Sequence, residues 1–316
     1  MGDPFGRKTP VSSDTFSVTM LNVDLCIIGS GPAGQKAAIQ AAKLGKRACV
    51  VERREVVGGA AVNTGTIPSK ALREAILRWL GHRTWNPSPE DFQAARQTTF
   101  TGLRAACQDV IKTEIDTIRQ HLAGNDVEVI VGLASFRDAH TVDVQSERAV
   151  TSITAERFLI ATGSEPSRPA NVPFDTGNVV TSDTLLGMTR LPKSMIVVGG
   201  GVIGTEYASM LSSLGVKITL LEGRPRLLEF VDQEIIEALQ YHLRQRGMTL
   251  RLGEKVIRIH MVEAPSSSGS GDGQLVEAML ESGKTLRADS LLYCVGRQGS
   301  TAELNLGAAG LAADAR

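Results

Sequence analysis

One internal repeat constrains this chain more than any other feature. Leu25-Cys26-Ile27-Ile28 runs into Gly29-Ser30-Gly31-Pro32-Ala33-Gly34, and the segment closes on Ala48-Cys49-Val50-Val51-Glu52. A second copy stands 170 residues later, without a gap. It reads Met195-Ile196-Val197-Val198, then Gly199-Gly200-Gly201-Val202-Ile203-Gly204, and ends Ile218-Thr219-Leu220-Leu221-Glu222. Each copy is an apolar run of strand length, a glycine turn, small and apolar residues at helical spacing, and a second apolar strand ending in an acid. The helical positions are Ala37, Ala38 and Ala41 in one copy and Tyr207, Ala208 and Leu211 in the other. This is a β-α-β unit written twice, a domain duplication and not a short-period solenoid.

The turn chemistry says what such units hold. Gly29 and Gly199 permit the tight turn. Gly31 and Gly201 let the backbone approach a pyrophosphate, and Gly34 and Gly204 let helix and strand pack closely. Pro32, Ala33, Val202 and Ile203 open the two helices, whose N-terminal N–H groups then face the phosphates. Glu52 and Glu222 follow at the expected spacing of about 20 residues, where an acid accepts hydrogen bonds from a ribose diol. One such motif alone is often an ordinary loop. Two in the same strand–turn–helix context, each with its acid, predict two dinucleotide sites. The fold class is α/β, with two Rossmann-like three-layer domains.

Composition agrees. At roughly 100–200 residues per domain, 316 residues make two domains. Lys+Arg and Asp+Glu are both 34, and aromatics are 4%. A neutral chain with dispersed cations has no long-range pull on nucleic acid or an anionic membrane. The four cysteines form no C-x-x-C pair and no metal-ligand cluster, so no metal site is expected. Cys26 and Cys49 lie in apolar runs and are expected to be buried, inert thiols. That usage fits a reducing cytoplasm. Residues 1–20 are polar and expected to be a frayed tail, and no run approaches the ~18 apolar residues of a membrane span. Periodicity predicts helices over 69–80 and 100–122 and short strands over Val127–Val131 and Thr141–Val144. The Ser- and Gly-rich run from Ala264 to Gly273 is expected to be a flexible hairpin tip.

The segment after the first unit narrows the reading. Gly58-Gly59-Ala60-Ala61-Val62-Asn63-Thr64-Gly65-Thr66-Ile67-Pro68-Ser69-Lys70 resembles the active-site segment of the pyridine nucleotide-disulfide oxidoreductases. That family places a redox pair of cysteines five positions apart here, and this chain has Ala61 and Thr66. Dithiol chemistry is therefore excluded at these positions. Thr66 within Gly-Thr-Ile-Pro-Ser-Lys resembles the soluble, flavin-containing pyridine nucleotide transhydrogenases. Arg226-Leu227-Leu228 with Phe230-Val231-Asp232-Gln233-Glu234, and Tyr293-Cys294-Val295-Gly296-Arg297, match the same subgroup. The likeness runs from about Asn22 to the C-terminus. Members of the subgroup usually keep the first cysteine, and Ala61 departs from that.

The resemblance implies an FAD site at the first unit, with Gly59 and Thr66 beside it, and an NAD(H) or NADP(H) site at the second. It implies that Lys70 sits by the flavin N5 edge, that Glu206 pairs with Lys70 near the nicotinamide, and that Thr162 and Gly163 touch FAD where the chain leaves its domain. Gly296 is carried over as a cofactor contact. Expected boundaries are 21–165 for the FAD domain, 166–290 for the NAD(P) domain and 291–316 for a return to the first. The family's second flavin-contacting segment, its His-Glu pair and its C-terminal dimerisation domain have no match, so poor FAD retention or aggregation is expected, and a homodimer or higher homo-oligomer belongs to the longer family members.

With no thiol pair, electrons from NAD(P)H must leave the flavin to a second nicotinamide nucleotide, to oxygen, or to a quinone or dye. Transhydrogenation is the simplest closed cycle. A diaphorase or quinone reductase and a catalytically inactive nucleotide-binding fragment are the alternatives. Nucleotide choice stays open: Glu222 favours the free 2′-hydroxyl of NAD, whereas Arg224 and Arg226 suit the 2′-phosphate of NADP.

Overall fold

The repeated strand–turn–helix pattern builds two units of the same design. A computed structural model describes residues 17–81, 89–147, 149–264 and 273–314. In the first unit, β1 (Ser17–Ile28), α1 (Pro32–Lys43) and β2 (Ala48–Glu52) form the crossover. Helices α2 (Gly59–Asn63), α3 (Thr66–Gly81) and α4 (Pro89–Ala123) follow. Strands β3 (Glu128–Val131), β4 (Leu133–Asp138), β5 (Thr141–Gln145) and β6 (Ala149–Ile160) complete a sheet of order β3-β2-β1-β6-β5-β4. It is parallel from β3 to β6 and antiparallel beyond.

The second unit begins with β7 (Ser164–Pro166) and β8 (Val179–Val180). Its crossover is β9 (Ser194–Val198), α5 (Val202–Ser213) and β10 (Lys217–Glu222), followed by α6 (Gln233–Gln245) and β11 (Thr249–Leu252). Asp232 caps α6 by accepting from Glu234 N–H and Ile235 N–H. An antiparallel layer of β12 (Val256–Glu263), β13 (Gln274–Leu280) and β14 (Thr285–Ala288) leads to β15 (Ser290–Tyr293). The parallel sheet has the order β11-β10-β9-β15-β8. Finally β16 (Arg297–Gly299) pairs with β7, tying the exit of the second unit to its entrance. The strand order changes direction at β1/β6 and at β9/β15, and such switch points leave a crevice at the carboxyl ends of the strands.

Two expected boundaries move. Residues 17–20 are strand, because Ser17–Met20 pair in register with Ala149–Ser152 of β6; polar composition concealed a backbone ladder. The chain leaves the second unit after Tyr293 and not at 290, because Leu291 and Leu292 are fully buried between β9 and β8. Residues 1–16, 265–272, 315 and 316 lie outside the described residues, and so does most of the expected hairpin tip. Its arms pair, closed by Ala264 N–H donating to Gly273 O at 2.8 Å. Among the described residues no helix is long and apolar enough to cross a membrane.

Helix α4 serves two cores. Phe100, Leu103 and Cys107, with Leu72 and Ile76 of α3, pack against Met195, Val197, Tyr207 and Leu211 of the second unit. About two to four turns further on, Ile115, Ile118 and Leu122 pack against Ile27 and Val50 of the first sheet. The two units therefore share an apolar core, and their relative orientation is set by close packing.

All four cysteines are free thiols. Cys26 and Cys49 are register partners on β1 and β2 and are buried. The hydrogen bond with Cys49, and then burial, raise the Cys26 thiol well above its ordinary range. Burial pushes Cys107 up to about 11 and Cys294 up to about 12. Cys26, Cys49 and Cys107 are buried, so a disulfide reagent at about pH 8 should label these three only after denaturation. Fast reaction at Cys26, Cys49 or Cys107 would contradict this burial.

Candidate functional site: two clefts joined by an ion pair

Both glycine turns place the same atoms in the same relation. Gly29 N–H donates to Val51 O at 2.8 Å, and Gly199 N–H to Leu221 O at 2.8 Å. Ala161 N–H donates to Ile28 O at 2.8 Å, and Cys294 N–H to Val198 O at 2.8 Å. A Cβ on Gly29 would overlap the carbonyl of Ala161, and one on Gly199 that of Cys294. These glycines have φ of +111° and +106°, which L side chains rarely adopt.

The acids are also held alike. Glu52 is 8% exposed; its Oε2 accepts from Ser30 N–H at 3.1 Å and Ser30 Oγ–H at 2.5 Å, and its Oε1 from Arg54 N–H at 3.1 Å. Glu222 is 7% exposed; its Oε2 accepts from Gly200 N–H at 2.7 Å and its Oε1 from Arg224 N–H at 2.9 Å. Among the described residues, only Glu222 of the two gains a cation. The Arg224 guanidinium forks onto it, Nε to Oε1 at 2.9 Å and Nη2 to Oε2 at 3.0 Å. Burial pushes the Glu222 carboxyl up, but the Arg224 side chain and the backbone N–H groups of Arg224 and Gly200 outweigh it and hold it below the usual carboxylate range. The same pair raises Arg224 further.

Each turn floors a cleft. Gly29, Gly31, Pro32, Ala33, Glu52, Gly59, Thr162 and Gly163 line the first, together with Ala61. Gly199, Gly201, Val202, Ile203, Glu222, Arg224 and Gly296 line the second, a cavity of about 780 Å³. That volume lies within the range of small-molecule sites. Gly34 and Gly204 line neither cleft. They lie against the carbonyls of Gly29 and Gly199, where a Cβ would overlap the oxygen. Arg226 lines neither as well, and its Nη1 donates to Gln233 Oε1 at 3.3 Å.

Thr66, Lys70 and Glu206 are off the cleft floors. Thr66 opens α3, and Lys70 lies one turn along it. Lys70 Nζ forms an ion pair with Glu206 Oε1, from the first turns of α5. The Lys70 side chain is 59% exposed and that of Glu206 24%. The pair joins the helix that follows the wall of the first cleft to the helix that opens the second. Among the described residues, no three His, Cys, Asp or Glu side chains gather to hold a metal.

This arrangement has known counterparts. A family model described as pyridine nucleotide-disulphide oxidoreductase matches residues 23–316. The chain belongs to that family. It is 44% identical over 299 residues to the soluble pyridine nucleotide transhydrogenase of Mycobacterium bovis (strain BCG / Pasteur 1173P2), covering 94% of this chain and 62% of the relative. Identity to the protein of that name from Chromohalobacter salexigens is 42%, covering 93% and 62%. Among solved structures, the HOCl-induced flavoprotein disulfide reductase RclA from Escherichia coli, as its Cu(II) complex, superposes with a TM-score of 0.79 at 28% identity. That match covers 93% of this chain and 61% of the other. The chain thus spans about three fifths of the length of the curated relatives it matches.

For a pyridine nucleotide-disulphide oxidoreductase, several lining residues escaped sequence reasoning. Ser30 is fully buried and accepts Gly58 N–H on its Oγ at 3.1 Å, stitching the glycine turn to the segment that follows β2. Its place as a variable position inside the glycine motif gave the only signal. Ser300 lines the first cleft, and its buried Oγ has no hydrogen-bond partner among the described residues. Asp183 also lines that cleft and accepts from Arg297 Nη1 at 3.2 Å. Lys255 and Arg258 line the second cleft, from an element far outside the repeat. No spacing rule marks these four.

Proposed function

We propose that this chain is the two-nucleotide part of an FAD-dependent oxidoreductase that passes hydride from NADPH or NADH to a second nicotinamide nucleotide. The observation that carries this reading is the Lys70–Glu206 pair, which connects two dinucleotide-shaped clefts across the shared core. The residues of the first cleft suit FAD. A Cβ on Gly59 would come within 2.8 Å of Gly31 Cα, so the two backbones meet on the lining of this cleft with no space for a side chain between them. The unpartnered Ser300 Oγ supplies a polar group on the same wall. When bound, FAD supplies the hydride-accepting and hydride-donating ring.

The chain's own residues then have separable tasks. The N-terminal N–H groups of α1 and α5 face phosphates. Glu52 and Glu222, both held by backbone donors, present oxygens towards a ribose. Lys70 holds a fixed positive charge where reduction would build negative charge, and Glu206 holds Lys70 there. Ala61 and Thr66 carry no thiol, so electrons have no dithiol exit at these positions, which favours a nucleotide acceptor over a disulfide. The free thiols suit a reducing cytoplasm.

The test is to load the full chain with FAD and follow NADPH-dependent reduction of an NAD analogue beside a quinone assay. Nucleotide-to-nucleotide transfer is the expected result. Quinone reduction without transfer would favour a diaphorase, and absence of flavin binding would favour an inactive nucleotide-binding fragment.

A further inference from the structure

Which group in the second cleft reads the adenosine 2′ position is decided by the surroundings of Glu222. Arg224 is committed there: its guanidinium is forked onto a carboxylate that is 7% exposed. Releasing the Arg224 side chain would break both arms of that fork and leave Glu222 only the backbone N–H groups of Gly200 and Arg224. Arg224 therefore neutralises the acid, and a 2′-phosphate arriving beside Glu222 meets a net neutral pair.

The charge such a phosphate needs lies on the next segment. Glu254 N–H donates to Glu222 O at 3.1 Å, and Gly253 N–H to Arg224 O at 2.9 Å, so residues 253–255 are clamped beside residues 222–224. A Cβ on Gly223 would lie 3.1 Å from Lys255 Cγ, which puts the lysine stem directly over the residue after Glu222. Lys255 lines the cleft, and among the described residues its ammonium has only a loose partner, Glu281 at 4.0 Å, in a pair whose side chains are 67% and 65% exposed. Exposed pairs of this kind contribute little, so the ammonium is able to turn to a stronger acceptor. The neighbouring Glu254 does not compete, being engaged by Lys284 at 3.2 Å.

We infer that Lys255 is the specificity residue of the second cleft: it binds the 2′-phosphate of NADP(H), while the Arg224-neutralised Glu222 accepts the free 2′-hydroxyl of NAD(H), so one cleft takes both nucleotides in turn. This rests on the reading that the second cleft receives nicotinamide dinucleotides. If the first cleft is filled by flavin, both nucleotides have to use the second, one leaving before the other binds.

The experiment titrates adenosine 2′,5′-bisphosphate and 5′-AMP into the full chain by calorimetry, with Lys255→Ala, Lys255→Glu and Arg226→Ala. Neither ligand carries a nicotinamide, so the result is independent of hydride transfer, and excess FAD in cell and syringe keeps both adenosine ligands out of the first cleft. Lys255→Ala should weaken the bisphosphate about tenfold, the loss of one charge-assisted hydrogen bond, and leave 5′-AMP within about twofold. Lys255→Glu should weaken the bisphosphate further, and Arg226→Ala should change neither ligand. Equal loss of both ligands in Lys255→Ala, an unchanged bisphosphate affinity, or selective loss in Arg226→Ala would each overturn the assignment. Failure of the proposed hydride transfer would appear separately, as an FAD-loaded protein that neither nucleotide reduces.

Discussion

Gly34→Ala should unfold the first unit, and Gly204→Ala the second. Each glycine sits in the first turn of its helix with a Cβ position that overlaps the carbonyl oxygen of the glycine opening the same turn. No rotamer relieves this, because the obstacle is backbone. Helix and strand would have to separate, breaking the packing that buries Ile27 and Val197. We expect a loss of about 4 kcal/mol or more, among the large values that single substitutions reach, against a typical total stability of roughly 5–15 kcal/mol. Gly45→Ala is the matched control. Its φ is +73°, but a Cβ there meets nothing within 4 Å, so it carries only the left-handed backbone penalty of roughly 1–2 kcal/mol. Urea midpoints by circular dichroism decide the matter. If Gly34→Ala and Gly45→Ala melt together, the close approach is not what the first turn requires.

Lys70→Ala should slow reduction of FAD-loaded protein by NADPH on the order of 100-fold, the scale of removing one preorganised charge-stabilising group. Fold stability should hardly change, since a pair with a lysine this exposed contributes about 0–1 kcal/mol. That split separates the proposed role from a bland surface ion pair. Glu206→Gln should lower the rate less, because it removes the group that holds the charge and not the charge. The double substitution should cost little more than Lys70→Ala alone, as contacting residues that act together are not additive. Stopped-flow bleaching of the flavin absorbance measures all three. A Lys70→Ala rate within about twofold of the parent protein would end this assignment.

The repeat made both crossovers legible because everything it specifies is local. Turn, helix start and acid lie within one β-α-β unit, and each is dictated by backbone hydrogen bonds that recur at both copies. Helices over 69–80 and 100–122 were legible from apolar spacing for the same reason. Periodicity could not say that α4 changes partners along its length. Phe100 and Ile118 continue one apolar stripe in sequence, yet they enter different cores. Nor did composition reveal that Ser17–Met20 is strand, because a ladder hydrogen bond is indifferent to side-chain polarity.

The sequence by itself determined two dinucleotide-shaped turns, their acids and the absence of a cysteine pair at Ala61 and Thr66. Only the tertiary structure decided how the clefts relate and how they are charged. Lys70 and Glu206 meet across 136 positions of sequence because α3 and α5 bury one apolar face together. Glu52 and Glu222 look equivalent in the repeat, yet only one carries an arginine fork and has a lysine laid beside it. The physical reason is range. Backbone turns are specified by neighbours a few residues away, whereas the net charge of a cleft depends on which distant side chains packing brings to its rim.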